Sequence, residues 1–263
     1  MKKYLINLLF IGVFFSTIAT AQELTQANEI IRQANLASYY QGDDGRAQAR
    51  MLIVDSQGNK QMRQFTILRK DQQDLGNQDM LVFFSRPTDV KGTVFRVNKK
   101  PASDDDRWLY LPALDLVKRI SAGDKRTSFV GAHYFYEDVS GRNPDEDNFT
   151  LLESNKTVYR VKAEPKKPNS VEFSYYIAEI DKQTFLPMKV SYYGAKNKII
   201  REMEVLKTQV VNKFPTVMHA KITSLSDGSY TEMRFKNVQY NIGLPSTIFS
   251  ERSLRKPPKK WLK

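Results

Sequence analysis

Asp106-Arg107-Trp108-Leu109-Tyr110-Leu111-Pro112-Ala113-Leu114-Asp115-Leu116-Val117-Lys118-Arg119-Ile120, followed by Phe129 and Gly131-Ala132-His133-Tyr134-Phe135-Tyr136-Glu137-Asp138-Val139, is rich in aromatics and empty of recognisable catalytic groups. Two short apolar runs bracket Pro112, and beyond Gly131 comes a compact aromatic segment without Gly or Pro. This pattern reads as part of an apolar sheet surface and its cover, suited to holding an apolar ligand rather than to chemistry. A second reading stays open, because aromatics also dominate the interiors of ordinary β-proteins.

On both sides the chain consists of short β-branched and aromatic runs separated by turn residues, the signature of an antiparallel meander. The first half-sheet comprises 47–54, 60–70, 79–85, 92–98, 107–110 and 116–120. After the 129–142 segment come 148–152, 157–162, 171–181, 187–193, 199–210, 215–225 and 230–240. Met203 and Val205 alternate with Glu202 and Glu204, and Thr231, Met233 and Phe235 with Glu232, Arg234 and Lys236, so these strands have one dry and one wet face. Beyond Phe235 the apolar phase shifts to Val238 and Tyr240, which predicts a β-bulge near Asn237. Leu81-Val82-Phe83-Phe84 shows no alternation and leaves the facing of that strand open.

A large sheet with one dry face needs a cover. Leu24, Ala27, Ile30, Ile31, Ala34 and Asn35 have helical spacing, with Thr25 as N-cap and Gln41-Gly42-Asp43-Asp44-Gly45 as the stop. The segment 131–139 is the second helical candidate. Upstream, Lys2 and Lys3, the apolar run from Leu5 to Ile18 and Ala19-Thr20-Ala21 predict a signal peptide over 1–21, cut before Gln22. The apolar run is shorter than the roughly 20 residues of a spanning helix. With no Cys for acylation or disulfides, the expected product is an exported, unacylated protein of a Gram-negative periplasm. Residues 22–263 read as one domain ending in a basic tail, about 251–263.

The net charge of +12, or +10 once Lys2 and Lys3 are removed, favours anionic partners such as phospholipid headgroups. Export and the absence of a clustered basic reading helix argue against nucleic acid. The basic run Arg255-Lys256-Pro257-Pro258-Lys259-Lys260-Trp261-Leu262-Lys263 reads either as a solvated tail or as a headgroup-touching one with Trp261 at the interface.

No catalytic constellation emerges. The two histidines, His133 and His219, have no metal-site spacing and read as ordinary polar residues, and there is no thiol, phosphate loop or nucleophile elbow. Asp104-Asp105-Asp106 and Asp145-Glu146-Asp147 lack the ligand ladder of a calcium loop and read as solvated loops. No enzyme, metal or cofactor is expected.

Several ordered segments resemble the outer-membrane lipoprotein-sorting protein family, the LolA-like group. They are Arg86-Pro87-Thr88-Asp89-Val90-Lys91-Gly92-Thr93-Val94-Phe95, Arg107 to Ala113, Val117 to Ile120, Ser128 to Gly131, Tyr136 to Val139, Asp181 to Val190 and Asn241 to Phe249. The resemblance implies an incomplete antiparallel β-barrel of about eleven strands, mainly β with few helices, whose open side is covered by the N-terminal helix and a short central lid. It also implies an apolar cavity for acyl chains, with an inner-membrane transporter as donor and an outer-membrane acceptor. The chain resembles a longer subgroup found with RND-type exporters, so the cargo can be a lipoprotein or a free lipid, carried by a monomer. The alternative is a lipid- or protein-binding sensor or accessory protein of such an exporter. Candidate lining residues are Val82, Phe84, Phe95, Trp108, Tyr110 and Phe129, with Tyr134 and Phe135 from the cover. By the same resemblance Arg86 is the candidate latch that holds the lid through backbone carbonyls.

Overall fold

A computed structural model describes residues 27–262. The expected leader, the Thr25 cap, Leu24 and the terminal Lys263 lie outside the described residues. The chain forms α1 (Ala27–Tyr39), then strands β1 (Asp44–Val54), β2 (Lys60–Asp71), β3 (Gln78–Arg86), β4 (Val94–Lys99), β5 (Asp106–Leu111) and β6 (Leu116–Ile120). After a connection containing α2 (Tyr136–Ser140) come β7 (Asp147–Ser154), β8 (Val158–Pro165), β9 (Tyr175–Asp181), β10 (Pro187–Tyr193), β11 (Ile199–Val211), β12 (Phe214–Ser224) and β13 (Tyr230–Tyr240). A last short helix, α3, spans Arg252–Arg255.

Among the described residues thirteen strands, not eleven, form one antiparallel sheet in the order β6-β5-β4-β3-β2-β1-β13-β12-β11-β10-β9-β8-β7. Each of the thirteen apolar runs of the sequence contains or overlaps a strand; the count of eleven came from the resemblance. The edge strands β6 and β7 do not pair, so the barrel is incomplete, and residues 121–146 carry the chain from one edge to the other. The first and last strands meet mid-sheet, where Met51 faces Met233 and Ala49 faces Phe235. Between the pairs Arg46–Gln239 and Gln48–Lys236, one residue of β1 (Ala47) opposes two of β13 (Asn237 and Val238), and Asn237 has φ 51°. This is the bulge that the phase shift predicts.

Three apolar clusters organise the packing. One joins the inner faces of β1 to β5 to the lid, with Phe65, Val82, Phe84 and Phe95 around Phe129 and Tyr136. Another lies under α1, where Ile30 and Ala34 pack on Tyr159, Val161, Ala178, Ile180 and Val190. The third is on the outer face: Leu68, Leu81, Phe83 and Val94 are covered by Leu244, Phe249 and Leu254 of the C-terminal segment. β3 is therefore buried on both faces, which is why Leu81-Val82-Phe83-Phe84 does not alternate. The C-terminal segment is fixed by Asp44, whose carboxylate accepts from the backbone N–H groups of Ile242 and Leu244, both at 2.7 Å.

The central cover is helical only from Tyr136. Val130 (φ 51°) and Gly131 (φ 80°) turn the chain, Ser128 bridges to Phe135, and the Asp138 carboxylate accepts the Phe135 N–H at 2.7 Å to start α2. The helix ends at Gly141, with φ 82°; a Cβ there would meet the Tyr39 ring at 2.7 Å. Glycine is thus required where the lid passes α1.

Candidate functional site

Between α1, the lid and the concave face of the sheet lies a cavity of about 410 Å³, within the range of roughly 300–1,000 Å³ usual for small-molecule sites. Ile31, Ala34 and Ser38 of α1 form one wall, and Phe129, Tyr134 and Val139 of the lid another. The floor comes from Met80, Ala178, Val190, Met203, Ala220, Met233 and Phe235. Apolar side chains predominate. Polar groups such as Gln41, Arg46, Arg69, Asp138 and Arg142 also contribute to the lining.

Of the residues singled out in the sequence, Phe129 and Tyr134 line the cavity. Val82, Phe84 and Phe95 lie behind Phe129 in the same cluster and support it, with Phe84 and Phe95 rings 5.7 and 5.4 Å from its centroid. Trp108 and Tyr110 do not share this face. β5 directs Arg107 and Leu109 inward, and its two large aromatics pack on the outer face near Trp261 and Ile248. Phe135 is also outside the lining: its ring carries the guanidinium of Arg201 at 4.4 Å and that of Arg126 at 4.8 Å. The lining contributed by α1 and by β9 to β13 was not singled out from sequence. Its signal is the alternation of Met203 and Val205, and of Met233 and Phe235, against charged neighbours.

Both covers are fastened by arginines. Arg86 is exposed, and its side chain makes no hydrogen bond or ion pair among the described residues. The arginine that binds backbone carbonyls is instead Arg69 of β2, and the cover it holds is α1, not the central lid. Its guanidinium donates to the carbonyls of Tyr39 (2.7 Å), Gly42 (2.9 Å) and Gln41 at the end of α1, while Asp71 holds it at 2.7 Å. A cation at a helix C-terminus complements the unpaired carbonyls there. Gln41 adds a strap from α1 to the sheet, donating to the carbonyls of Ala37 and Pro215, both at 2.6 Å. Arg69→Met is expected to raise amide exchange across 34–42 by roughly tenfold or more, from the loss of charge-assisted hydrogen bonds, whereas Arg86→Leu should leave it unchanged. Equal effects of the two would refute this assignment.

On the lid, Arg201 of β11 binds the Asp138 carboxylate and donates to the His133 carbonyl at 3.2 Å. The Glu137 side chain is 1% exposed and is surrounded by Arg126 (2.8 Å), Lys125 (2.9 Å) and Arg142 (3.3 Å). Burial pushes its pKa up, but the three cations overcome this and hold it at about 2. Arg142 continues to Asp147 at 2.8 Å, and Asp147 is buried. The run Asp145-Glu146-Asp147 is thus part of an ion network instead of a fully solvated loop. At the lid's far end the buried Lys99 donates to the Ser140 carbonyl at 2.8 Å beneath the Tyr39 and Tyr40 rings, and burial lowers its pKa to about 8.

His133 tethers the lid to β13. Its N–H donates to Thr231 Oγ1 at 3.0 Å, and its ring nitrogens meet Thr231 Oγ1 (2.8 Å) and Ser229 Oγ (2.7 Å). Burial pushes its pKa below the ordinary 6.5, with Asp227 opposing and Arg201 adding to the shift. The unfolded imidazole therefore takes up a proton more readily than the folded one. The tether's contribution is complete above about pH 6.5 and is lost as pH falls through the folded value. Exchange protection across 128–140, corrected for intrinsic rates, should fall between neutral pH and about pH 5, where histidine charges, and His133→Gln should flatten that dependence. An identical pH profile in the variant would contradict the tether.

Comparison with known proteins places this architecture. A family model described as an uncharacterized protein family matches residues 76–256. A DUF1329 family protein from Desulfovibrio piger is 26% identical with TM-score 0.78, covering 87% of this chain and 97% of that one. A domain described as outer membrane lipoprotein-sorting, from Vibrio parahaemolyticus, is 25% identical with TM-score 0.78, covering 87% and 98%. A LolA superfamily protein from Nitrosomonas europaea shares the fold at 16% identity and TM-score 0.67, covering 88% and 99%. No curated protein matches.

Proposed function

Because the chain belongs to the uncharacterized family matched over residues 76–256, and its structural relatives are LolA-like and lipoprotein-sorting proteins, we propose that it is a periplasmic carrier of acyl chains. It shelters the chains of a lipoprotein or a lipid between envelope membranes. The observation that carries this reading is the apolar cavity of about 410 Å³ lined by α1, the lid and the concave face. Each buried methylene stabilises the complex by about 0.8 kcal/mol, so an acyl chain gains far more from this cavity than from water. Entry and release require α1 and the lid to part, and the arginine latches set the free energy of that opening. The chemistry is binding alone; the charged groups of the site are engaged in ion pairs and backbone contacts that hold the covers. An inner-membrane donor and an outer-membrane acceptor complete the cycle.

Lipid extraction and mass spectrometry of the protein, gently purified from its native envelope, test this proposal. An acylated species bound near one per protein is expected. Protein that is consistently lipid-free, and that takes up no fatty acyl probe, would sink the carrier and favour a protein-binding accessory role.

A further inference from the structure

The outer face of β3 to β6 is not used by the carrier cycle, yet it bears an unusual combination of groups. The C-terminal segment does not extend into solvent: Ile248, Phe249, Leu254, Trp261 and Leu262 pack over Trp108, Tyr110 and Val117. Folding back in this way, it presents Arg252, Arg255, Lys256, Lys259 and Lys260, all exposed, along one stretch of surface. Glu251 is the only acidic residue of that segment.

This stretch is joined to the tip of the β5–β6 hairpin. Arg255 Nε donates to the Asp115 carboxylate at 2.9 Å, and its guanidinium lies 5.5 Å from the Tyr110 ring. Residues 112–116 are all exposed, and Leu114 and Leu116, on either side of Asp115, are 71% and 46% exposed. Asp115, the one anion at the tip, is thus neutralised by Arg255. The result is a pair of solvated leucines beside a row of cations, with the Trp261 indole half-buried among them.

We propose that the 112–116 hairpin tip and the 252–262 segment form a docking surface for an anionic lipid bilayer. Charge complementarity argues for this partner. Each Lys or Arg held near an anionic leaflet contributes to binding within a Debye length. Exposed leucines on a hairpin tip suit a fluid acyl boundary, and Trp favours the headgroup level. An acidic protein would satisfy the cations but would leave the two leucines in need of a matching pocket. The inference goes beyond the carrier reading, since no residue of this surface lines the cavity.

Sedimentation with vesicles tests it. The protein should partition onto phosphatidylethanolamine vesicles containing phosphatidylglycerol, weakly onto phosphatidylcholine vesicles, and less as salt rises. Lys259→Gln with Lys260→Gln should reduce the partition by roughly tenfold or more, given the contribution of each cation. Leu114→Ser with Leu116→Ser should reduce it in a way that salt does not change. All four positions are exposed or solvated, so the melting temperature serves as a folding control. Equal binding to both vesicle types, or wild-type binding by both double variants, overturns the proposal; the latter result would assign membrane binding to another part of the chain. No partition onto either vesicle, with retention on an immobilised acidic polypeptide, also overturns it and assigns the surface to a protein. A variant that fills the cavity should bind vesicles normally, so failure of the carrier reading leaves this outcome distinct.

Discussion

Glu137→Ala is expected to destabilise the folded chain by about 3 kcal/mol or more, within the roughly 3–5 kcal/mol typical of breaking a buried ion pair from one side. The carboxylate is surrounded by Arg126, Lys125 and Arg142, and its removal leaves three mutually repelling cations at a site that water barely reaches. Other anions limit the damage: Lys125 and Arg142 retain Glu146, and Arg142 retains Asp147. Arg126 fares worse, keeping Glu172 near the surface and Asp138 at 3.9 Å. Urea unfolding should show a lowered midpoint with an unchanged slope, and Glu137→Gln, which keeps an acceptor oxygen and the volume, should lose less. A shift of a few tenths of a kcal/mol for the alanine variant would mean that the network does not hold the lid. The same group sets an acid limit. Its pKa is depressed from 4.5 to about 2 in the folded state, so its contribution is complete above about 4.5 and is lost as pH falls towards 2.

Ala220→Trp should weaken retention of an acyl ligand by about a hundredfold while leaving the fold intact. Ala220 lies on β12 between Val205 and Met233, and its methyl faces the cavity. Enlarging a residue in a filled core costs about 1–3 kcal/mol through strain, but here the indole enters space that is already open. Each methylene excluded forfeits about 0.8 kcal/mol, so displacing about four lowers affinity by roughly 3 kcal/mol, on the order of a hundredfold. Lipid recovered per mole of purified protein is the readout, with thermal unfolding as the control. Wild-type lipid content in a folded variant would move the ligand away from this cavity.

The sheet is largely legible in the sequence, because its signals are local. Turn residues delimit thirteen apolar runs, and the slip from Phe235 to Val238 marks the bulge at Asn237. Facing is legible only where one side of a strand is wet. In β3 the C-terminal segment dries the second face, and the contact that erases the alternation lies more than 150 residues away from Leu81. The same covering explains why Trp108 and Tyr110 resemble cavity residues from composition yet lie outside. The latch is illegible for another reason. Arg86 and Arg69 are both strand arginines, and what separates them is that only Arg69 reaches the C-terminal carbonyls of α1. The lid helix is shorter than the 131–139 segment suggests, because no periodicity warns that the chain turns at Val130 and Gly131 before α2 begins at Tyr136.

The pairing of the first strand with the last has a consequence for how the molecule comes into being. One side of β1 can be completed early by β2, but its other side waits for Tyr230–Tyr240. A chain emerging N-terminus first therefore carries a bare strand edge until nearly all of it has been delivered, and the central ladder closes only across a very long loop. The arrival of the final strand is therefore the event that joins two half-sheets into one.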